Sequence, residues 1–206
     1  MMMEASLHFY LRGRKQLRLA GLGWHADAVA PASLLEEEGL VAELDLLGVS
    51  YLSRLAATHP APVRPAEQLL AGLVRQSSAR VREAVIAVLL AHPDLATSVP
   101  VALAQLSTAD QVTLRLFYTA AVLLQQEYAD RLQALFLPRW QPLPDLFASE
   151  LGLSHQGSPG ERLVRLGQRH RGLTGKAVNW TGTYHNVARH LIRRLEMEQR
   201  WNQSPS

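Results

Sequence analysis

Residues 78–93 of this chain have the sequence SARVREAVIAVLLAHP. The apolar residues of this stretch recur at the spacing of one helix face: Val81, Ala84, Val85, Val88 and Leu89. The charged residues lie off that face. The pattern therefore predicts an amphipathic helix that starts near Ser78 and ends at His92, because the residue before Pro93 disfavours helical backbone.

The rest of the chain has the same character. Its apolar residues are mainly Leu, Ala and Val, and hydrophobic residues make up 48% of the sequence, which is enough to form a core. Leu and Ala favour helices, and the alternating pattern of half-buried strands is nearly absent. We therefore expect an all-α protein, built as an antiparallel helical array with short Pro-rich joints.

Local start and stop signals place the other helices. Ser33 with Glu36 has the pattern of a capping box, Ser107 with Asp110 is a similar pair, and Ser158 is followed by Pro159-Gly-Glu. The expected helices and short segments are Ser33 to Gly48, Val49–Ala57, a helix from about Pro65, Pro100–Leu106, Ser107–Phe136, Leu146–Leu151, Ser158 to Gly172 and Thr183–Trp201.

Two Pro-rich segments, residues 59–65 and 138–145, divide the sequence. The second segment is the better domain boundary. It separates a helical body (31–137), which follows a basic N-terminal segment (1–30), from a basic C-terminal region (146–206), which forms its own domain or packs on the body. Residues 31–150 carry eight basic and thirteen acidic side chains, whereas residues 151–206 carry nine basic and three acidic ones. This separation indicates an anionic partner for the C-terminal region, or a contact between the two regions.

Several kinds of site are excluded by composition and spacing. The chain has no cysteine, so disulfides and Cys-ligated zinc are excluded, and it has no HExxH motif. The longest apolar run, Ala84–Ala91, is far shorter than a membrane span, and the charges near the N-terminus follow its apolar residues, unlike a secretory signal. We expect no metal, no cofactor and no membrane partner, and a cytoplasmic location.

The C-terminal region supplies a candidate site for an anion or a nucleic acid. Its members are Arg162, Arg165, Arg169, Arg171, Lys176, Trp180, His185, Arg189, Arg193 and Arg200. Cations on a helix face neutralise phosphates, and interleaved aromatic rings, including those of Tyr184 and Trp201, stack on exposed bases. The alternative is a solvated helix face over an ordinary core, with Arg194 and Glu198 paired along the helix.

The segment RLGQRH places Arg165 and His170 with four residues between them. This resembles the signature of HEPN-type metal-independent ribonucleases, which are small helical domains. The resemblance implies that His170 acts as general acid or base and that Arg165 stabilises the phosphorane charge. The sequence departs from the family at Leu166, where a polar residue is usual. The alternative is a surface arginine and a histidine at a helix end.

Two further resemblances concern binding. Residues 66–133, and above all SARVREAVIAVLLAHPDL, resemble HEAT-type helical repeats, which implies a curved helical stack that binds a partner. The segments LDLLGVSYLSRL, SARVREAVIAVLLAHP and NWTGTYHNVARHLIRRLE resemble helical proteins that accompany nucleotidyltransferase toxins in bacterial defence modules. That resemblance implies an antitoxin or accessory subunit.

Together these features favour a non-catalytic interaction protein. Its helical body binds a protein partner, and its basic C-terminal surface binds an anionic one. A HEPN-like ribonuclease and a sequence-tolerant binder of RNA or DNA are the alternatives.

Overall fold

The computed structural model describes residues 32–50, 64–137 and 140–203. Within these ranges it is all helical, which confirms the predicted class. The α-helices are α1 (Ala32–Leu46), α2 (Ala66–Arg75), α3 (Ala79–Ala91), α4 (Val99–Ala104), α5 (Thr108–Glu127), α6 (Ala129–Phe136), α7 (Pro159–Thr174) and α8 (Trp180–Gln203). The 3-10 helix Pro93–Ser98 joins α3 to α4. The predictions for residues 1–30 and 51–63 lie outside the described residues.

The core is built around α3. Every residue from Ala84 to Leu90 is at most 1% exposed, and α3 packs against α2, α5 and α8. A helix that is apolar on all sides is buried on all sides. The prediction of a single apolar stripe was therefore too narrow, because Ile86 and Leu90, outside that stripe, are buried as well.

The C-terminal helices share this core. α7 packs on α5 and α8 packs on α3, and Leu163, Tyr184 and Ile192 are fully buried in the same cluster as Ile86. α7 approaches the start of α8 closely at Gly167, where an added Cβ atom would lie 2.5 Å from Thr181 Oγ1. The residues on the two sides of the 138–145 segment therefore contribute to one hydrophobic core.

The HEAT resemblance of residues 66–133 stays a prediction. In a helical-repeat stack each repeat contacts only its neighbours along the chain. Within that range α2 and α3 pack on each other, but α3 also contacts α8, which lies outside the range. The described helices form an all-α array whose contacts are not limited to chain neighbours.

The local signals located several helix starts. Ser107 Oγ accepts a hydrogen bond from the Asp110 amide at 3.2 Å. At the start of α7, Ser158 Oγ accepts from the Glu161 amide at 3.3 Å and the Glu161 carboxylate accepts from the Ser158 amide at 2.8 Å, which completes the predicted capping box. α1 begins at Ala32, one residue before its predicted cap.

Two predicted helices in the middle of the chain were wrong. The expected helix Ser107–Phe136 is interrupted at Tyr128, whose φ of −106° and ψ of 23° separate α5 from α6. Residues 146–151 form turns instead of a helix. Asp145 Oδ1 accepts a hydrogen bond from the Ala148 amide at 3.1 Å, as an N-cap does. The segment ends after a single turn, because Gly152 adopts the left-handed conformation with φ 65°.

The ends of the last two helices also differ from the prediction. α7 continues through Gly172 and ends at Thr174, because Gly175 adopts the left-handed conformation with φ 67°. α8 begins at Trp180, three residues before the predicted start.

Among the described helices, none is by itself long and apolar enough to cross a membrane. The pair Ala79–Ala91 and Pro93–Ala104 meets the length and composition requirement only jointly, with a 117° bend between its members.

Candidate anion-binding surface

One side of α8 is basic and open to solvent. This side lines a surface pocket of about 630 Å³, together with Arg131 of α6 and the carboxylate of Glu196, which is also on α8. The other α8 residues that line the pocket are Asn186, Arg189, His190, Arg193, Met197 and Arg200. Each of these residues lies three or four positions from another of the set, which places them on one side of the helix. We call these six residues and Arg131 the basic face.

The opposite side of α8 anchors the helix. Tyr184, Ala188 and Leu191 are at most 1% exposed, as the sequence pattern predicted, and Leu195 packs half-buried against the core. Because this side is fixed in the bundle, the arginines on the other side point away from it. α6 packs beside α8 and brings Arg131 to the same surface.

Carboxylates neutralise only part of this surface. Arg131 pairs with Glu196 at 2.7 Å, and Arg194 pairs with Glu198 at 2.7 Å, as predicted for the latter pair. Arg189 donates to the backbone carbonyl of His185 at 3.3 Å. Within the described part of the chain, Arg189 and Arg193 form no ion pair with a carboxylate. Two exposed cations are therefore available to an external anion.

An exposed aromatic ring lies at the end of the same helix. Trp201 is 84% exposed and Met197, one turn before it, is 48% exposed. Exposed aromatic rings beside cationic side chains stack on bases in proteins that bind single strands. The stacking role of Trp201 stays a prediction; its ring is exposed enough to contact a base.

The predicted cations of α7 do not belong to this face. Arg162 is 6% exposed and donates to Asp145 at 3.3 Å, so its assignment to a binding surface was wrong: burial and this ion pair occupy it. Arg165 donates to the Gln156 carbonyl and Arg171 to the Val178 carbonyl. Arg169 is exposed on α7.

Trp180 was also assigned wrongly. It is 5% exposed and stacks on the ring of His170, with 3.5 Å between ring centroids and 7° between the planes. Phe117 meets the His170 ring edge-on at 5.7 Å. Trp180 is therefore packed in this aromatic cluster and is not part of the basic face.

His170 is the polar centre of the cluster. It is 1% exposed, and its Nδ1 lies 2.6 Å from the Tyr184 hydroxyl. Burial, together with the charges of Lys176 and Arg82, lowers the pKa of His170 to about 3. Burial also raises the pKa of Tyr184. Both side chains are therefore uncharged at neutral pH.

The two residues of the HEPN resemblance, Arg165 and His170, have different surroundings, and their catalytic role stays a prediction. They are five residues apart on α7, which separates them by about 140° around the helix axis. The guanidinium of Arg165 is held by Gln156, whereas the imidazole of His170 lies in the core. The His170 side chain is 1% exposed, and its lowered pKa leaves the ring uncharged at neutral pH.

His185 lies next to the basic face without belonging to it. Its side chain is 19% exposed, and its Nδ1 is 3.2 Å from the Tyr128 hydroxyl and 4.0 Å from the Glu127 carboxylate. These contacts hold the ring at the break between α5 and α6. Conversely, His190, Met197 and Arg131 were not predicted for this surface. Helical spacing from Arg193 could have predicted His190 and Met197, whereas the position of Arg131 depends on the packing of α6 beside α8.

Among the residues that the structure describes, no three His, Asp or Glu side chains are close enough together to hold a metal ion. No protein-family model, curated protein or solved structure shows significant similarity to this chain.

Proposed function

We propose that this chain is a non-catalytic interaction protein that binds single-stranded nucleic acid through the basic face. The observation that carries the proposal is the pair of exposed arginines without ion pairs, Arg189 and Arg193, on the helix that ends in the exposed Trp201. Arginines neutralise phosphates and release counterions, and an exposed indole ring stacks on a base.

Single strands fit this surface better than duplexes. The bases of a duplex are already stacked on each other, so an indole ring at the protein surface meets only their edges, whereas an unpaired base offers its whole plane. Contacts to phosphates and ring planes carry little information about base identity. We therefore expect binding that tolerates many sequences and depends strongly on salt.

The test is the binding of a fluorescently labelled single-stranded oligonucleotide, measured by fluorescence anisotropy over a range of salt concentrations. Arg193→Glu removes one cation and adds an anion at the middle of the basic face. We expect the affinity to fall by at least about tenfold and the dependence of log K on log salt to become shallower by about one to two units.

Arg169→Glu is the matched control, because it makes the same change of charge at an exposed position of α7. Its affinity is expected to stay within about threefold of the wild type. Trp201→Ala should weaken binding while the salt dependence stays the same, since stacking releases no counterions. Equal losses in Arg169→Glu and Arg193→Glu would contradict the proposal, because net charge alone would then explain the binding.

An acidic protein is the competing partner for this surface. A pull-down with the wild type and with Arg193→Glu separates the two, if the eluate is analysed both for protein and by absorbance at about 260 nm. A stoichiometric protein without nucleic acid, lost in the variant, would replace the proposal by a protein-binding role. If that protein were a nucleotidyltransferase, it would support the antitoxin resemblance.

A further inference from the structure

A second pocket, of about 460 Å³, shares no residue with the basic face. Residues of α2, α3, α5 and α7 and of the loop between α7 and α8 line it. Three cationic side chains, Arg75, Arg82 and Lys176, meet there, and apolar side chains such as Val112 and Leu173 complete the wall. The volume is within the usual range for small-molecule sites, about 300 to 1,000 Å³.

Two of the three cations are held in place by backbone carbonyls that do not neutralise them. Arg82 Nη1 donates to the Gln76 carbonyl at 2.8 Å, and Arg75 donates to the Gln105 carbonyl. Each guanidinium has five N–H donors, so these single contacts leave others for a ligand. Within the described residues, none of the three forms an ion pair with a carboxylate.

The lining of the pocket has an excess of positive charge. Its three cations face one carboxylate, that of Asp110, which accepts from the hydroxyl of Ser107 at 2.7 Å. His170 is uncharged at neutral pH, since its pKa is lowered to about 3. The indole Nε1 of Trp180 is buried and has no acceptor among the described residues. Such a pocket favours an anionic ligand that accepts hydrogen bonds.

We propose that this pocket binds a small phosphomonoester, with its phosphate held by Arg82 and Lys176 and its organic part against Leu173 and Val112. A guanidinium matches two phosphate oxygens at once, and an ammonium adds a point charge. A phosphomonoester carries a charge between about −1.5 and −2 at neutral pH, which suits three cations better than a monovalent carboxylate does. The apolar wall distinguishes this ligand from inorganic phosphate.

The probe is adenosine 5′-monophosphate, titrated into the full chain in a calorimeter, with adenosine as the matched probe without charge. We expect saturable binding of one equivalent of the monophosphate and no measurable binding of adenosine. Lys176→Glu changes an exposed loop residue, so its circular dichroism should match the wild type. Its affinity for the monophosphate should fall by at least about tenfold, because a charge-assisted contact becomes a repulsion.

Two further variants make the result specific. Leu173→Glu places a carboxylate at a half-exposed position of the pocket wall and should lower the affinity for the monophosphate to a similar degree. Arg193→Glu should leave monophosphate binding unchanged, and Lys176→Glu should leave oligonucleotide binding unchanged, so the two sites fail or succeed separately.

Three results would overturn the proposal: no saturable binding of the monophosphate at millimolar concentration, equal binding of adenosine, or unchanged affinity in Lys176→Glu. Loss of monophosphate binding in Arg193→Glu would also overturn it, because the ligand would then occupy the basic face.

Discussion

At the scale of single residues, the surroundings of His170 decide what the side chain does. Its ring stacks on Trp180 and its Nδ1 lies within hydrogen-bonding distance of Tyr184. A proton added to this ring would place a charge in the core near Lys176 and Arg82, which lowers the pKa of His170 to about 3. Protonation of His170 therefore opposes folding.

This gives a prediction for the stability of the protein in acid. Between the unfolded pKa of 6.5 and the folded pKa of about 3, the unfolded chain binds a proton at His170 that the folded chain does not. The contribution of His170 is therefore present above the unfolded pKa and is lost as the pH falls below it. At about pH 5 the loss is on the order of 2 kcal/mol in the free energy of unfolding.

The measurement is urea unfolding at about pH 7 and about pH 5 for the wild type and for His170→Gln, which has no titrating group but keeps a polar partner for Tyr184. The wild type should lose more stability than the variant between the two pH values. Equal losses of stability in the two proteins would show that His170 does not contribute to the pH dependence of folding.

Some residue roles were predictable from local sequence and others were not. Arg193 and the buried Leu191 follow from helical spacing, because both lie on a single amphipathic helix. The burial of Arg162 and Trp180 does not follow from helical spacing. Arg162 pairs with Asp145 and Trp180 packs near Phe117, and both partners come from other parts of the chain. Sequence spacing predicts which residues share a helix face, but the packing of the other helices determines whether that face is buried.

At the scale of elements, the helix start with a capping box was easier to predict than the end of the same helix. The capping box of Ser158 and Glu161 is a contact between near neighbours, so its sequence pattern is specific. The end of α7 was ambiguous because Gly172 and Gly175 are both candidates for a stop. Gly172 lies inside the helix, whereas Gly175 has φ 67°.

The two glycines of α7 should therefore respond in opposite ways to alanine. An added Cβ at Gly172 meets no atom within 4 Å, so Gly172→Ala should stabilise the fold by about 0.5 to 1 kcal/mol through its helix propensity. Gly175→Ala should destabilise it by about 1 to 2 kcal/mol, because alanine is strained in the left-handed region. Thermal unfolding of the two variants checks this, and two changes of the same sign would refute it.

At the scale of the whole molecule, the proposed binding surfaces depend on one shared core. α8 presents the basic face because its other side is buried against α3, and the phosphomonoester pocket exists because α7 packs on α5 beside α2 and α3. The Pro-rich segment 138–145 marks a change of charge along the sequence, but it does not interrupt the hydrophobic core. A charge boundary in a sequence describes the surface, whereas a folding unit is set by what is buried.

A substitution in either half of this core should therefore shift one common unfolding transition. Ile86 of α3 and Ile192 of α8 are both fully buried, and their change to alanine removes packed methyl groups. Each change should cost about 2 to 5 kcal/mol. Circular dichroism, which reports all helices, and tryptophan fluorescence, which includes Trp180 in the shared core, should give the same midpoint in each variant, because two-state unfolding moves all probes together. A variant Ile192→Ala in which fluorescence changes at a lower denaturant concentration than most of the helix signal would mean that α7 and α8 unfold separately from the α3 bundle.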